Sequence, residues 1–189
     1  MVHRDFHTGN ILINGNNKYF PYISGMGLCG EVGNIDETKI YGVMPFVAPE
    51  VLRGRPYTQA ADIYSFALNI CNGIMPEITE PQAPKCYIDL MKRCWDLHPS
   101  NRPNVTEVLE LIGLFYDSYK ERKRGQQYYE IKKQIEEAEK YRQENLLTIE
   151  NDKPTTAIYT SWLLNPFTKN LPKYNNSNNN SIEIIDFTK

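Results

Sequence analysis

Within its first ten residues the chain gathers an imidazole, a guanidinium, a carboxylate and a carboxamide in the run His3-Arg4-Asp5-Phe6-His7-Thr8-Gly9-Asn10. Asp5 and Asn10 stand five apart across a tight loop. At that spacing one rigid piece of chain can point two groups into one cleft: a carboxylate able to take a proton from a hydroxyl, and an amide oxygen able to hold a hard cation. No cysteine cluster competes with this site. Cys29, Cys71, Cys86 and Cys94 lie far apart without a short paired spacing, so neither a zinc centre nor a disulfide framework is indicated, and they read as reduced, mostly buried small hydrophobes.

The elements that must position this loop come next in the chain. Ile11-Leu12-Ile13 and Tyr19-Phe20-Pro21-Tyr22-Ile23 flank Gly15-Asn16-Asn17-Lys18, a hairpin pattern in which Pro21 has to sit at an edge or a bulge. Tyr87, Leu90, Met91, Cys94 and Trp95 recur at helical spacing, and Thr106 opens a further helix that turns Val108, Leu109, Leu111 and Ile112 toward a core. From Tyr128 to Leu147 a stripe of Ile131, Ile135 and Ala138 among Glu and Lys predicts a long amphipathic helix, too short in apolar repeat for a coiled coil and expected to pack back on the folded part. The basic run Lys120 to Arg124 is interleaved with Glu121 and reads as a solvated face. Beyond Asn151 periodicity is lost, and the Asn/Ser run 175–181 has too little apolar area to order itself, so residues 165–189 are expected to be disordered. Ala157 to Ser161 with Leu163-Leu164 is more apolar than a linker requires and is a candidate docking segment.

The 189 residues are 41% hydrophobic, enough for one modest core. Twenty-one basic residues against 23 acidic ones, a net charge of -2, give no electrostatic pull toward nucleic acid or anionic membrane. Neither a secretory leader nor a membrane-length apolar run is present in the sequence, and a cytoplasmic location is expected.

Four motifs stand in order: the loop ending at Asn10, Ala48-Pro49-Glu50, Asp62-Ile63-Tyr64-Ser65-Phe66, and Cys94-Trp95-Asp96-Leu97-His98-Pro99-Ser100-Asn101-Arg102-Pro103. Together they resemble the C-lobe of a eukaryotic protein kinase domain, most similar to the tyrosine-kinase-like branch. The resemblance implies an α+β, mostly α fold, with residues 1–115 as a partial kinase domain, 116–150 as a charged amphipathic helix, and 151–189 as a mostly disordered Asn-rich tail. It further implies Asp5 as catalytic base, Arg4 as the arginine that grips a phosphorylated activation loop, and Asn10 as the ligand of magnesium-ATP. Residues Gly25 to Glu50 take the place of the activation segment, with Thr38 and Tyr41 as candidate phosphorylation sites and Gly42 to Phe46 as the substrate-docking turn. Glu50 and Arg102 match a structural ion pair, and Asp62 a residue that binds the catalytic-loop backbone. A protein substrate or signalling partner is implied, with no nucleic-acid or membrane partner.

Departures from the family pattern are as informative. Where the family carries the Asp of Asp-Phe-Gly, a second metal ligand, this chain reads Gly25-Met26-Gly27; Gly25 offers no oxygen, and Met26 is left as an apolar plug. That Gly-x-Gly comes after the hairpin and is not a nucleotide loop. His7 replaces a lysine that contacts the transferring phosphate in serine/threonine kinases, substituting an ionisable ring for a fixed charge. Neither a Gly-rich loop nor a Val-Ala-Ile-Lys lysine with its glutamate precedes the catalytic loop in this sequence, and residues between Phe66 and Ala67 look deleted, by real loss or by a skipped exon. Three readings of function stay open: part of a phosphotransferase acting on protein Ser/Thr or Tyr, a non-catalytic pseudokinase-like interaction module, or a decaying gene product. The metal site as written favours a chain that binds neither ATP nor magnesium and is inactive.

Overall fold

A computed structural model describes residues 1–13, 21–31, 39–70, 80, 82–122, 125–145 and 161–172. After the catalytic loop, Ile11–Ile13 (β1) and Pro21–Ile23 (β2) pair antiparallel in the register Ile11 to Ile23, Leu12 to Tyr22 and Ile13 to Pro21. Pro21 therefore sits at the end of a two-stranded ladder, where its missing N–H costs little. Tyr41–Gly42 (β3) pairs with Trp162–Leu163 (β4), a strand from far along the chain. Six α-helices complete the described architecture: Pro49–Leu52 (α1), Gln59–Ile70 (α2), Lys85–Cys94 (α3), Val105–Tyr119 (α4), Gln126–Glu144 (α5) and Asn165–Thr168 (α6). This is the mostly helical α+β arrangement the sequence predicts.

Two apolar clusters form the core, and α2 contributes to both. On one side Phe46, Val47, Val51, Leu52 and Tyr64 close over Ile40 and Leu164. On the other, Ile63 and Ala67 of α2 meet Leu90, Met91 and Cys94 of α3 and Val108 of α4, the spacing of 3 and 4 placing each set on one helix face. Trp95 packs against both clusters. The suspected junction Phe66-Ala67 lies inside the continuous helix α2; Ala67 is fully buried and Phe66 stacks on Phe6 at 5.9 Å between ring centroids. Residues 71–79, the other flank of that junction, fall outside the described residues.

Several local expectations change. Helix α4 begins at Val105 because Asn104 caps it, its side chain accepting from the Glu107 amide at 3.0 Å. Of the four residues expected to face inward, Val108 is buried and Leu111 packs on the core, but Leu109 is 70% exposed and Ile112 40%. Their stripe turns outward because α5 covers the other side of α4. Helix α4 also runs through position 116, so a boundary after residue 115 would cut a helix. Helix α5 does pack back: Ile131 and Ala138, two turns apart, are buried, and Gln134 Oε1 accepts from the Cys86 amide in the first turn of α3 at 3.0 Å. Residues 161–172, expected within an unstructured tail, instead form β4 and α6, with Leu164 buried and Leu171 packed beside it. Burying one leucine contributes about 1.5–3 kcal/mol, which composition over a whole tail does not reveal. Residues 173–189 lie outside the described residues.

One polar contact crosses the interior. Arg102 donates Nη1 to Glu50 Oε1 at 2.7 Å and Nη2 to Glu50 Oε2 at 2.8 Å, and its remaining donors reach the carbonyls of Ala60 and Asp96 at 3.0 and 2.8 Å. Its guanidinium lies 4.9 Å over the Tyr64 ring. Both charges are desolvated, so the pair is worth keeping only because nearly every donor has an acceptor. Arg102→Met should therefore strand the Glu50 carboxylate and cost about 3–5 kcal/mol in chemical denaturation. The double variant with Glu50→Gln should recover part of the loss.

Candidate functional site

Asp62, in the first turn of α2, sets the geometry of the loop from His3 to Asn10. Its Oδ2 accepts from the His3 amide at 2.7 Å and its Oδ1 from the Arg4 amide at 3.0 Å. Arg4 sits at φ 72, a left-handed conformation that costs a non-glycine residue about 1–3 kcal/mol and persists only where the surroundings over-determine it. The two amide bonds to one carboxylate supply that constraint. Paired bonds between Val2 and Gly30, at 2.8 and 3.1 Å, pin the residue two before Arg4. The tilted contact of His3 with Phe6 and the stacking of Phe6 on Phe66 seat the loop on α2. His3 donates Nε2–H to the Ser24 carbonyl at 2.8 Å, while its Nδ1 accepts from the Asp5 amide at 3.3 Å, so one imidazole joins the loop to the segment ending at Gly25.

Arg4 Nη2 donates to the Glu31 carbonyl at 2.8 Å, which aims the guanidinium along the activation segment; its Nε is buried without a hydrogen-bond partner. Thr38 falls outside the described residues. Tyr41 is half-buried in β3, and its carbonyl accepts from Tyr57 Oη at 2.5 Å. Burial, then the nearby Asp5 and Asp62 carboxylates, push the Tyr57 phenol well above its ordinary range, so it stays a donor at any physiological pH. Met26, expected to plug the site, is 50% exposed, its sulfur against Cys29 Sγ at 3.5 Å.

The candidate base and metal ligand lie together. Asn10 Nδ2 donates to the Asp5 carbonyl at 2.7 Å and lies 3.4 Å from Asp5 Oδ2 and 3.1 Å from His7 Nε2. His7 is buried; its Nδ1 accepts from the Gly9 amide at 3.1 Å and its Nε2 stands 3.6 Å from Asp5 Oδ2. The imidazole thus packs inside the loop, where a lysine would extend into the cleft. Gly25 completes the picture: its φ of 72 is left-handed, and a Cβ placed there would overlap the Asn10 amide. The donor set is therefore Asp5 and Asn10, with no oxygen at position 25 and the volume of a side chain there taken by Asn10. Among the described residues no three His, Cys, Asp or Glu side chains converge on a metal-sized space. These residues do not fit a magnesium-ATP complex held by two acidic and amide ligands.

Sequence reasoning missed Tyr57 and marked Ser161 only as part of a candidate docking segment. Tyr57 closes the site from the loop before α2, and Ser161 donates from Oγ to Asp5 Oδ2 at 2.6 Å from 156 residues away. Tyr57 had no local signal, and the apolar residues beside Ser161 signalled docking without naming Asp5 as the partner, because each acts through tertiary contact.

Asp62 gives a pH-dependent test. Burial raises its carboxyl above 3.8, outweighing the amide bonds from His3 and Arg4 that lower it. The folded chain thus binds that proton more tightly than the unfolded chain, so this group's stabilisation is present at low pH and is lost as pH rises through the raised value. The Tm difference between wild type and Asp62→Asn should move in favour of the variant as pH rises above about 4; a constant difference would contradict this assignment.

Comparison with known proteins agrees with this geometry. The protein kinase domain family matches residues 1–79. The chain is 28% identical over 149 positions to the probable serine/threonine-protein kinase gdt4 of Dictyostelium discoideum, covering 65% of this chain and 9% of that protein. It is 28% identical over 132 positions to the dual specificity protein kinase shkD of the same organism, covering 58% and 18%. It is 27% identical over 182 positions to a protein kinase and PP2C-like domain-containing protein of Arabidopsis thaliana, covering 66% and 27%. The chain thus spans well under a third of each of these relatives. An alignment of 149 positions that occupies 65% of 189 residues must open gaps in this chain, so the relatives carry residues it lacks. Membership of the protein kinase family is supported by both the domain match over residues 1–79 and these kinase relatives.

Proposed function

We propose that the residues present here form a kinase-type lobe that engages protein segments and does not itself transfer phosphate. The observation that carries this reading is the missing ligand on the metal side of the site: Gly25 supplies no side-chain oxygen, and the Asn10 amide lies where a side chain at position 25 would go. Phosphoryl transfer depends almost entirely on positioning and on electrostatic stabilisation by metal ions and a lysine. An aspartate, a single asparagine amide and a buried histidine do not supply that field. The parts that bind and orient a polypeptide are better preserved. The turn Met44–Phe46 is fixed by Ser65 Oγ donating to the Phe46 carbonyl at 2.6 Å, and the activation segment is anchored by Glu50 and Arg102.

Within the family, the run Cys94 to Pro103 supports placement near the tyrosine-kinase-like branch. Relatives named as serine/threonine and dual specificity kinases support a protein hydroxyl as the substrate class wherever a complete form of this lobe is active. A cytoplasmic location is the companion proposal, supported by free Cys29, Cys86 and Cys94.

The test compares wild type, Gly25→Asp and Asp5→Asn for radiolabelled phosphate transfer to a generic protein substrate at millimolar ATP. No transfer is expected from any of them. Gly25→Asp should not rescue activity, because its side chain would overlap Asn10 and its backbone would be forced to a positive φ. Transfer by wild type that disappears in Asp5→Asn would overturn the reading.

A further inference from the structure

The surface around Asp5 is already occupied by this chain. Ser161 Oγ donates to Asp5 Oδ2 at 2.6 Å, and the Asp5 side chain is left 11% exposed. Immediately after Ser161, Trp162 and Leu163 run antiparallel to Gly42 and Tyr41. The next residue continues the ladder, the Leu164 amide donating to the Ile40 carbonyl at 2.7 Å, while the Ile40 amide donates to Asn165 Oδ1 at 2.8 Å. Leu164 is 3% exposed in the cluster formed with Ile40, Phe46 and Val47. Gly42 lets β3 lie against the loop: its φ of 144 is open to glycine, and a Cβ there would meet Val47 Cγ2 at 2.7 Å and stand 3.9 Å from Asp5 Oδ1.

We infer that residues 161–172 are an intramolecular ligand of the Asp5 groove, a tethered segment that adds a strand to the edge of the activation segment and presents the Ser161 hydroxyl to the carboxylate. Three independent contacts hold it: main-chain bonds give the extended form, Leu164 fills an apolar pocket, and Ser161 sets the register over Asp5. The segment covers the carboxylate and the edge of β3, so a protein segment of the same pattern can reach them only by displacing it. Ser161 is itself solvent-exposed. A negative charge on Ser161, whether from phosphorylation or from an acidic substitution, would face Asp5 directly and drive the segment out by like-charge repulsion. The inference is independent of whether the chain transfers phosphate.

The experiment uses the full chain without nucleotide. Amide exchange is followed at Ile40 and Leu164, with Ala67 of α2 as an internal control, in wild type, Leu164→Asp and Ser161→Asp. A fluorescent peptide with the sequence of residues 161–172 is titrated onto each. In wild type both amides should be protected and the peptide should bind only near the millimolar effective concentration of the tethered copy. In Ser161→Asp both amides should exchange at least tenfold faster, Ala67 should be unchanged, and the peptide should bind at least tenfold more tightly. If Leu164→Asp also loosens Ala67, Ser161→Asp decides alone. Unprotected Ile40 and Leu164 amides in wild type, or equal peptide binding by wild type and Ser161→Asp, would overturn the inference.

Discussion

The site depends on one carboxylate holding two consecutive amides. Asp62, in the first turn of α2, binds the His3 and Arg4 N–H groups and so keeps Arg4 in a left-handed conformation that a non-glycine residue does not adopt unaided. Everything around Asp5 inherits its position from that turn. His3 is set to bridge to Ser24, Phe6 is turned onto Phe66, and Asp5 is brought beside Gly42 and Ser161. Helix α2 can serve as this fixed point because it is packed on both sides, by the Phe46 and Leu52 cluster on one face and the Met91 and Cys94 cluster on the other. Scaffold and chemistry are therefore separable here: the scaffold that orients the loop is intact, while the metal-binding side lacks a side-chain ligand at Gly25, where Asn10 takes the space.

Much of the scaffold was legible in the sequence. The hairpin at residues 11–23, helix α3 and the long charged helix α5 arise from short-range pattern, and the helical spacing of Leu90, Met91 and Cys94 marks the face that is buried. Pattern was weaker on α4, where Leu109 and Ile112 are as apolar as Val108 yet face outward, because periodicity gives a stripe its width and only the neighbouring helix decides which part is covered. The tail shows the same limit in another form. Leu163-Leu164 stands out as more apolar than a linker, but the pocket that Leu164 fills is built from Ile40, Phe46 and Val47 more than a hundred positions earlier.

At the site itself, residue types foretold what was missing better than what was gained. The loss of a carboxylate at position 25 is visible in one letter, but its consequence, the Asn10 amide occupying that space, is a property of the folded loop. His7 reads as a replacement for a lysine that contacts phosphate and is a buried ring bonded to the Gly9 amide, because a five-membered ring reaches its own loop where a long amine would reach past it. Contacts made by Tyr57 and Ser161 depend on long-range pairing of β3 with β4 and on the loop before α2, and no window of sequence contains both partners.

The central claim is that Asn10, with no side-chain oxygen beside it at position 25, does not hold magnesium-ATP. It is tested most directly by tracking the Asn10 side-chain amide resonances of the full chain in nuclear magnetic resonance while magnesium is raised to millimolar concentration, with and without ATP. Both amide protons should keep the shifts of a group bonded to the Asp5 carbonyl, without dependence on magnesium or nucleotide. A saturable shift of those resonances with magnesium-ATP, lost in Asp5→Asn, would contradict the account.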